Sequence, residues 1–477
     1  MTRSSGTNSR SGGKRSRPAI VPKPFQAWFI RVKQVVGLDR AIGFAVLART
    51  WAAAAGVVTV LLIAHFLTPQ EQGYYYTFSS LVALQLIFEL GFSFVILQLA
   101  AHERAQLTIS PQGQIQGEAM AHARLASILQ QAVRWYSIVA IIMAVVLLTT
   151  GFYFFTAHQQ AGSPIRWQMA WTLTVIASSL TFFMDPVFSF LEGCGEISQV
   201  ARLRLNQAIA GSLLGWLALI THHGLFSPAL VILGQAGAGF RFLIRYRRLL
   251  LTLWGRKVGP HSVSWSSEIW PFQWRIAASW ASSYVIMQLF NPVVFAYRGS
   301  VEAGRMGMSI NIANAVGAIA LSWMATKAAP FGTLVARHQF AELDQLFSRT
   351  LKQSSAILFA TILLVLGGLL FIGKIMPAFP ARILSLLLIA LLLVTIFCNH
   401  VVNGEAYYLR AHKREPLVYF WIAIAIISVV STVLTGKYWG AAGVTIAYFL
   451  IGGLLRLVTA TYVFFKKRKE WHASTSV

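Results

Sequence analysis

Three arginines stand inside long apolar runs of this chain: Arg49, Arg275 and Arg456. A charge in hydrocarbon is costly and needs a reason. One reason is local: a long stem can carry the guanidinium to nearby headgroups. The other is chemical: a guanidinium keeps its charge when partly buried and grips phosphate with two parallel hydrogen bonds. Arg49 and Arg275 fall at matching depths near the start of their runs, so as a pair they would suit a diphosphate group. Arg456 is a further candidate for the lining of a cavity. Two acids, Glu89 and Asp185, also lie within apolar runs. Either could neutralise Arg49 in a structural ion pair, or exchange protons during a transport cycle. Asn311 and Asn314, three residues apart on one helical face, and Gln85 either bond neighbouring helices or meet sugar hydroxyls. Lys327 closes another apolar run and is either a surface lysine or a cavity cation.

Other chemistries find no support. The eleven histidines form no metal-ligand spacing, and Cys194 and Cys398 are too far apart in sequence to define a disulfide framework. No glycine-rich phosphate cradle is present, so no ATPase is expected in this chain. No catalytic residue, cofactor or metal is assigned.

The elements that would position these residues are membrane spans. Of 477 residues 56% are hydrophobic and 12% charged, whereas a soluble domain carries roughly a quarter charged residues. Crossing helices need about 20 apolar residues. Such runs fall at 43–66, 76–100, 135–156, 168–191, 205–221, 228–246, 271–296, 306–327, 353–374, 380–402, 417–435 and 441–464, which makes about twelve. The weakest is 228–246, which Arg241 and Arg245 shorten. The first two runs, joined by the polar stretch Leu67–Gly73, form a helical hairpin. The stretch Glu302–Gly304 reads as a similar turn before the eighth run.

The net charge of +25 is unevenly placed. Most Lys and Arg fall in alternate loops and both tails, and six fall in the others: Arg166, Arg298, Arg305, Lys374, Arg382 and Lys437. That is the positive-inside pattern, with both termini cytoplasmic and the basic loops facing anionic headgroups, and not a nucleic-acid surface. Residues 1–24 are too polar to bury a core. Residues 25–42 form an amphipathic segment suited to the membrane surface. The expected divisions are a bundle over 43–248, a cytoplasmic linker over 249–270, a second bundle over 271–465 and a basic tail over 466–477.

The halves resemble each other. Arg49 pairs with Arg275, and Glu71-Gln-Gly73 with Glu302-Ala-Gly304. The amphipathic set Leu125, Ile128, Leu129, Ala132 and Val133 pairs with Leu343, Leu346, Phe347, Thr350 and Leu351. Gly193, Arg202 and Arg204 pair with Gly404, Arg410 and Arg414. The expected fold is therefore an all-α polytopic membrane protein, with two six-helix bundles related by a parallel repeat around a central cavity.

The stretches Leu67–Phe78, Phe88–Phe92, Glu302–Met308, Trp323–Pro330 and Leu409–Pro416 resemble bacterial polysaccharide-biosynthesis membrane proteins. These belong to the multidrug/oligosaccharidyl-lipid/polysaccharide exporter superfamily. The resemblance spans most of residues 42–465 and carries no catalytic signature. It implies alternating access in the bacterial inner membrane. It also implies flipping or export of a lipid-linked, undecaprenyl-diphosphate-type oligosaccharide for surface polysaccharides such as lipopolysaccharide or exopolysaccharide, with a polymerase or glycosyltransferases as possible partners. The rival readings are a drug/cation antiporter of the same superfamily, which favours acids in the first bundle, and a membrane-embedded enzyme acting on lipid-linked sugars. The enzyme would need clustered acids or histidines and a sizeable loop. The longest inner loop, about 101–134, holds only His102, Glu103, Glu118 and His122.

Overall fold

The computed structural model describes residues 40–89, 91–109, 115–159, 165–256, 258, 263, 287–412 and 416–473. Arg275, most of the seventh run, Arg414, nearly all of the amphipathic segment 25–42 and the extreme tails lie outside the described residues.

The chain is helical almost throughout. Helix α1 is Arg40–Phe66. The polar stretch after it is shorter than hydropathy suggests, because Thr68 ends it. Its hydroxyl accepts from the Glu71 N–H while the Glu71 carboxylate accepts from the Thr68 N–H, and Pro69 takes the first helical position. That capping box starts α2, Pro69–Val82, several residues earlier than hydropathy indicates. The second run is not one straight helix either. It continues as α3, Gln85–Glu89, and α4, Phe92–Arg104, with Gly91 left-handed at φ 69° and a bend of 43°.

A two-stranded hairpin follows, β1 Leu107–Ile109 antiparallel to β2 Ile115–Gly117. Helix α5, Ala119–His158, then fuses the amphipathic segment and the third run into 40 residues. The expected long inner loop is thus mostly ordered structure. Helices α6, Gln168–Gly193, α7, Ile197–Ile220, and α8, Ser227–Trp254, complete the first half. The weak sixth run is therefore a full helix; its arginines lie in the half nearer the C-terminal end, which runs on into the expected linker.

The second half holds α9, Phe290–Arg298, and α10, Ser300–Ala325. Glu302–Gly304 is not a loop but the first turn of α10, started by Gly299. A short α11, Ala328–Ala336, leads into α12, Phe340–Ile375. Helix α12 repeats the design of α5: an amphipathic start runs on into an apolar span. Then come α13, Leu386–Ala411, α14, Val418–Ala447, a π-helical segment over Tyr448–Leu455, and α15, Arg456–Ala473.

Among the described residues eight helices are long and apolar enough to cross a bilayer, or nine if the bent pair Pro69–Glu89 and Phe92–Arg104 is one span. One of the eight, Phe420–Trp471, has 52 residues. At about 1.5 Å per residue that is more than twice a bilayer's hydrocarbon thickness. It breaks at Gly440, where φ is 64° and ψ is −147°. Only glycine serves there: a Cβ would overlap a Glu302 carboxylate oxygen, and that oxygen accepts from the Ala441 N–H.

Helices α1 to α8 pack mainly on one another, as do α9 to α15, and the two groups meet chiefly where α2 lies on α10. The approach there is close. A Cβ on Gly73 would overlap the Ser300 carbonyl, and one on Gly304 would lie 2.9 Å from the Gly73 nitrogen. Gln72 is buried at this seam and donates to the carbonyls of Gly304 and Arg382 at 2.9 and 2.8 Å. Gly73 and Gly304 thus lie in direct contact across this seam.

The Arg298 side chain donates to the Tyr438 carbonyl and Arg305 to the Ala381 carbonyl, joining stretches expected on one membrane face. Stretches expected on the other face are joined by Arg468–Asp344 at 2.6 Å and by Gln130, which donates to the carbonyls of Leu253, Trp254 and Arg256.

Candidate substrate cavity and intramembrane polar clusters

Arg49 lies near the start of α1, exposed, with no hydrogen bond or ion pair among the described residues. Spacing of four, seven and eleven residues puts Ala53, Gly56 and Val60 on the same helical face. Those three line a groove of about 370 Å³ between α1, α10 and α12. Ile312 and Val316 on α10, Leu364, Val365 and Leu369 on α12, and Phe379 make its wall mostly apolar. Asn311 and Thr361 are its polar side chains. Asn314, one turn beyond Asn311, is also exposed on α10. The structure therefore brings Arg49, Asn311 and Asn314 to two of the three helices that flank one groove at the junction of the halves.

The other candidates lie elsewhere. Gln85 sits at the break between α2 and α3, half-buried, and its Oε1 has no partner among the described residues. Lys327 stands half-buried between α10 and α11. Glu89 and Asp185 fall together inside the first half, but neither pairs with Arg49. The cation facing Asp185 is Arg204, at 3.1 Å. Arg204 also donates to Gln207 at 3.3 Å and lies over the Phe188 ring. Hydropathy places Arg204 in a loop after the fourth run. In the structure α7 begins at Ile197, so Arg204 is already two turns into a helix and on the face towards α6. Ser93 and Tyr136, 3.2 Å apart, extend this polar cluster, and Glu89 lies within the electrostatic reach of Asp185 and Arg204. The Asp185 and Arg204 side chains are 36% and 49% exposed, so the pair is not sealed in the core.

The second half has its own cluster around Arg456. The Arg456 guanidinium donates to the Asn399 side-chain oxygen at 3.1 Å and stacks 4.3 Å from the centre of the Trp421 ring. Asn399 in turn donates to the Tyr448 hydroxyl at 3.1 Å. Nearby in sequence, His400 bonds Ser354 at 2.8 Å and Glu405 accepts from Thr461 at 2.8 Å. These partners carry no motif. Their only signal in the sequence is a polar side chain in an apolar run, which α13 shows at Asn399, His400 and Glu405.

A scan of protein-family models finds no match, and a search of curated proteins finds none. Solved structures do match. An inward-facing multidrug resistance MATE family transporter of the MOP superfamily aligns over 89% of this chain and 100% of its own, at TM-score 0.55 and 13% identity. The lipid II flippase MurJ in an inward closed conformation aligns over 91% of each chain, at TM-score 0.55 and 11% identity. A MATE protein in complex with MaD3S aligns over 92% of this chain and 97% of its own, at TM-score 0.58 and 13% identity. The class that the helices define is thus a polytopic membrane protein whose fold is similar to the folds of these transporters. Within that class its structural neighbours are MATE transporters and MurJ.

Proposed function

We propose that this chain moves a lipid-linked oligosaccharide with an anionic, diphosphate-type headgroup across the bacterial inner membrane by alternating access. The two halves would act as six-helix bundles around a cationic cavity, with both termini in the cytoplasm. The observation that carries this reading is the groove between α1, α10 and α12. It is apolar, it lies at the junction of the halves, and Arg49 continues the face of α1 that lines it. An amphiphile with a phosphate head and a hydrocarbon tail needs that combination: a guanidinium for the head and an apolar slot for the tail. Asn311, which lines the groove, and Asn314, exposed one turn further on, are assigned to the sugar hydroxyls. Arg275 is assigned the matching role in the second half, on its residue type and its place in the repeat.

The test replaces Arg49 and Arg275 by Ala, singly and together, at matched membrane abundance. Lipid-linked glycan should accumulate and surface polysaccharide should fall, most in the double variant. Arg49→Lys should rescue only in part, since an ammonium lacks the planar fork. Unchanged export in the double variant would remove both residues from the site.

One observation favours a second reading, a cation-coupled antiporter. Glu89, Asp185 and Arg204 gather inside the first half, with Asp185 and Arg204 partly exposed. Asp185→Asn separates the readings: loss of drug efflux with normal polysaccharide would favour the antiporter.

A further inference from the structure

A second groove, about 880 Å³, runs between α7 and α8 and shares no residue with the first. Arg202 on α7 faces Arg241 and Arg245 on α8 across it, with Gln199 and Asn206 beside them. None of the three arginines makes an ion pair or hydrogen bond among the described residues. Arg241 and Arg245 are four residues apart on one helical face, where like charges repel. Further along both helices the lining turns apolar, with Leu213, Leu214 and Leu233. Leu213 is 11 residues from Arg202, a rise of about 16 Å. The large apolar side chains flanking the groove, Leu217, Phe240 and Ile244, are exposed, as befits a surface facing lipid.

We propose that this groove is a binding site for an anionic bilayer phospholipid, which holds α7 and α8 together. The phosphate lies among the three guanidiniums and the acyl chains run along the leucines. Basic pockets between spanning helices at the cytoplasmic face recognise such headgroups, and an anion removes the repulsion that the arginines otherwise impose. A bulk phospholipid fills the site by mass action. The inference goes beyond the transport reading and stands without it.

The test titrates detergent-purified protein with diphosphatidylglycerol, phosphatidylglycerol, phosphatidylcholine, a polyprenyl diphosphate or inorganic phosphate and follows the bound ligand by native mass spectrometry. The anionic lipids should bind the wild type, and Arg202→Gln/Arg241→Gln/Arg245→Gln should weaken them about a hundredfold. Each single substitution should weaken them about fivefold, which carries the test if the triple variant does not fold. Arg247→Gln/Arg248→Gln, an equal kind of charge loss outside the groove, should leave binding intact. Equal weakening by that control would overturn the proposal, because charge alone would then suffice. So would equal binding of phosphatidylcholine, or sensitivity to the triple change confined to a polyprenyl diphosphate or to inorganic phosphate.

Discussion

Asp185 and Arg204 show what a charge needs inside a membrane protein. Each would be costly alone in a span, and together they neutralise each other at 3.1 Å. Asp185→Asn leaves the Arg204 guanidinium unpaired and is therefore expected to lower stability, read as a fall in melting temperature in detergent. Asp185→Asn/Arg204→Gln should recover part of that loss, because it leaves no lone cation behind. A double variant as unstable as the sum of the singles would show that the two groups act independently. Arg49 is the contrasting case. Its type and depth are legible in the sequence, yet its surroundings are not: the acids that could have answered it are committed to the neighbourhood of Arg204.

At the scale of elements, the seam between α2 and α10 depends on missing side chains. Gly73 and Gly304 let two backbones touch, and Gln72 binds two carbonyls across the contact. A methyl at Gly73 would overlap the Ser300 carbonyl, so Gly73→Ala must push the helices apart. The expected outcome is a population shift towards states in which this end is open. Spin labels on α2 and α10 should report a longer distance in Gly73→Ala than in the wild type. An unchanged distance distribution would mean that the seam yields elsewhere. The same elements show why hydropathy misplaces helix ends. It marks where a chain can cross a bilayer, whereas Thr68, Pro69 and Gly299 mark where helices begin, and the two need not coincide.

For the whole molecule, the proposed cycle needs the groove between α1, α10 and α12 to open and close between the halves. Val57 and Ala315 line it from opposite helices. Val57→Cys and Ala315→Cys together, joined by a short bifunctional thiol reagent, should stop export, while either cysteine alone should leave it intact. The two native cysteines are buried, which keeps the background low. Full export by the joined protein would show that this groove does not move.

Local composition and period are enough to establish a polytopic helical chain, most of its spans, and the cost of Arg49, Asp185 and Arg456 in their runs. Those properties follow from the hydrophobic thickness of a bilayer and the helical repeat, which act on residues close along the chain. Which charges meet was left to the packing. Asp185 and Arg204 are brought together where α6 lies against α7, and Arg456 finds Asn399 and Trp421 on two other helices. Arg202 faces Arg241 and Arg245 across a groove. Partners on different helices are set by crossing angles and helix rotation, and no spacing within one helix encodes them.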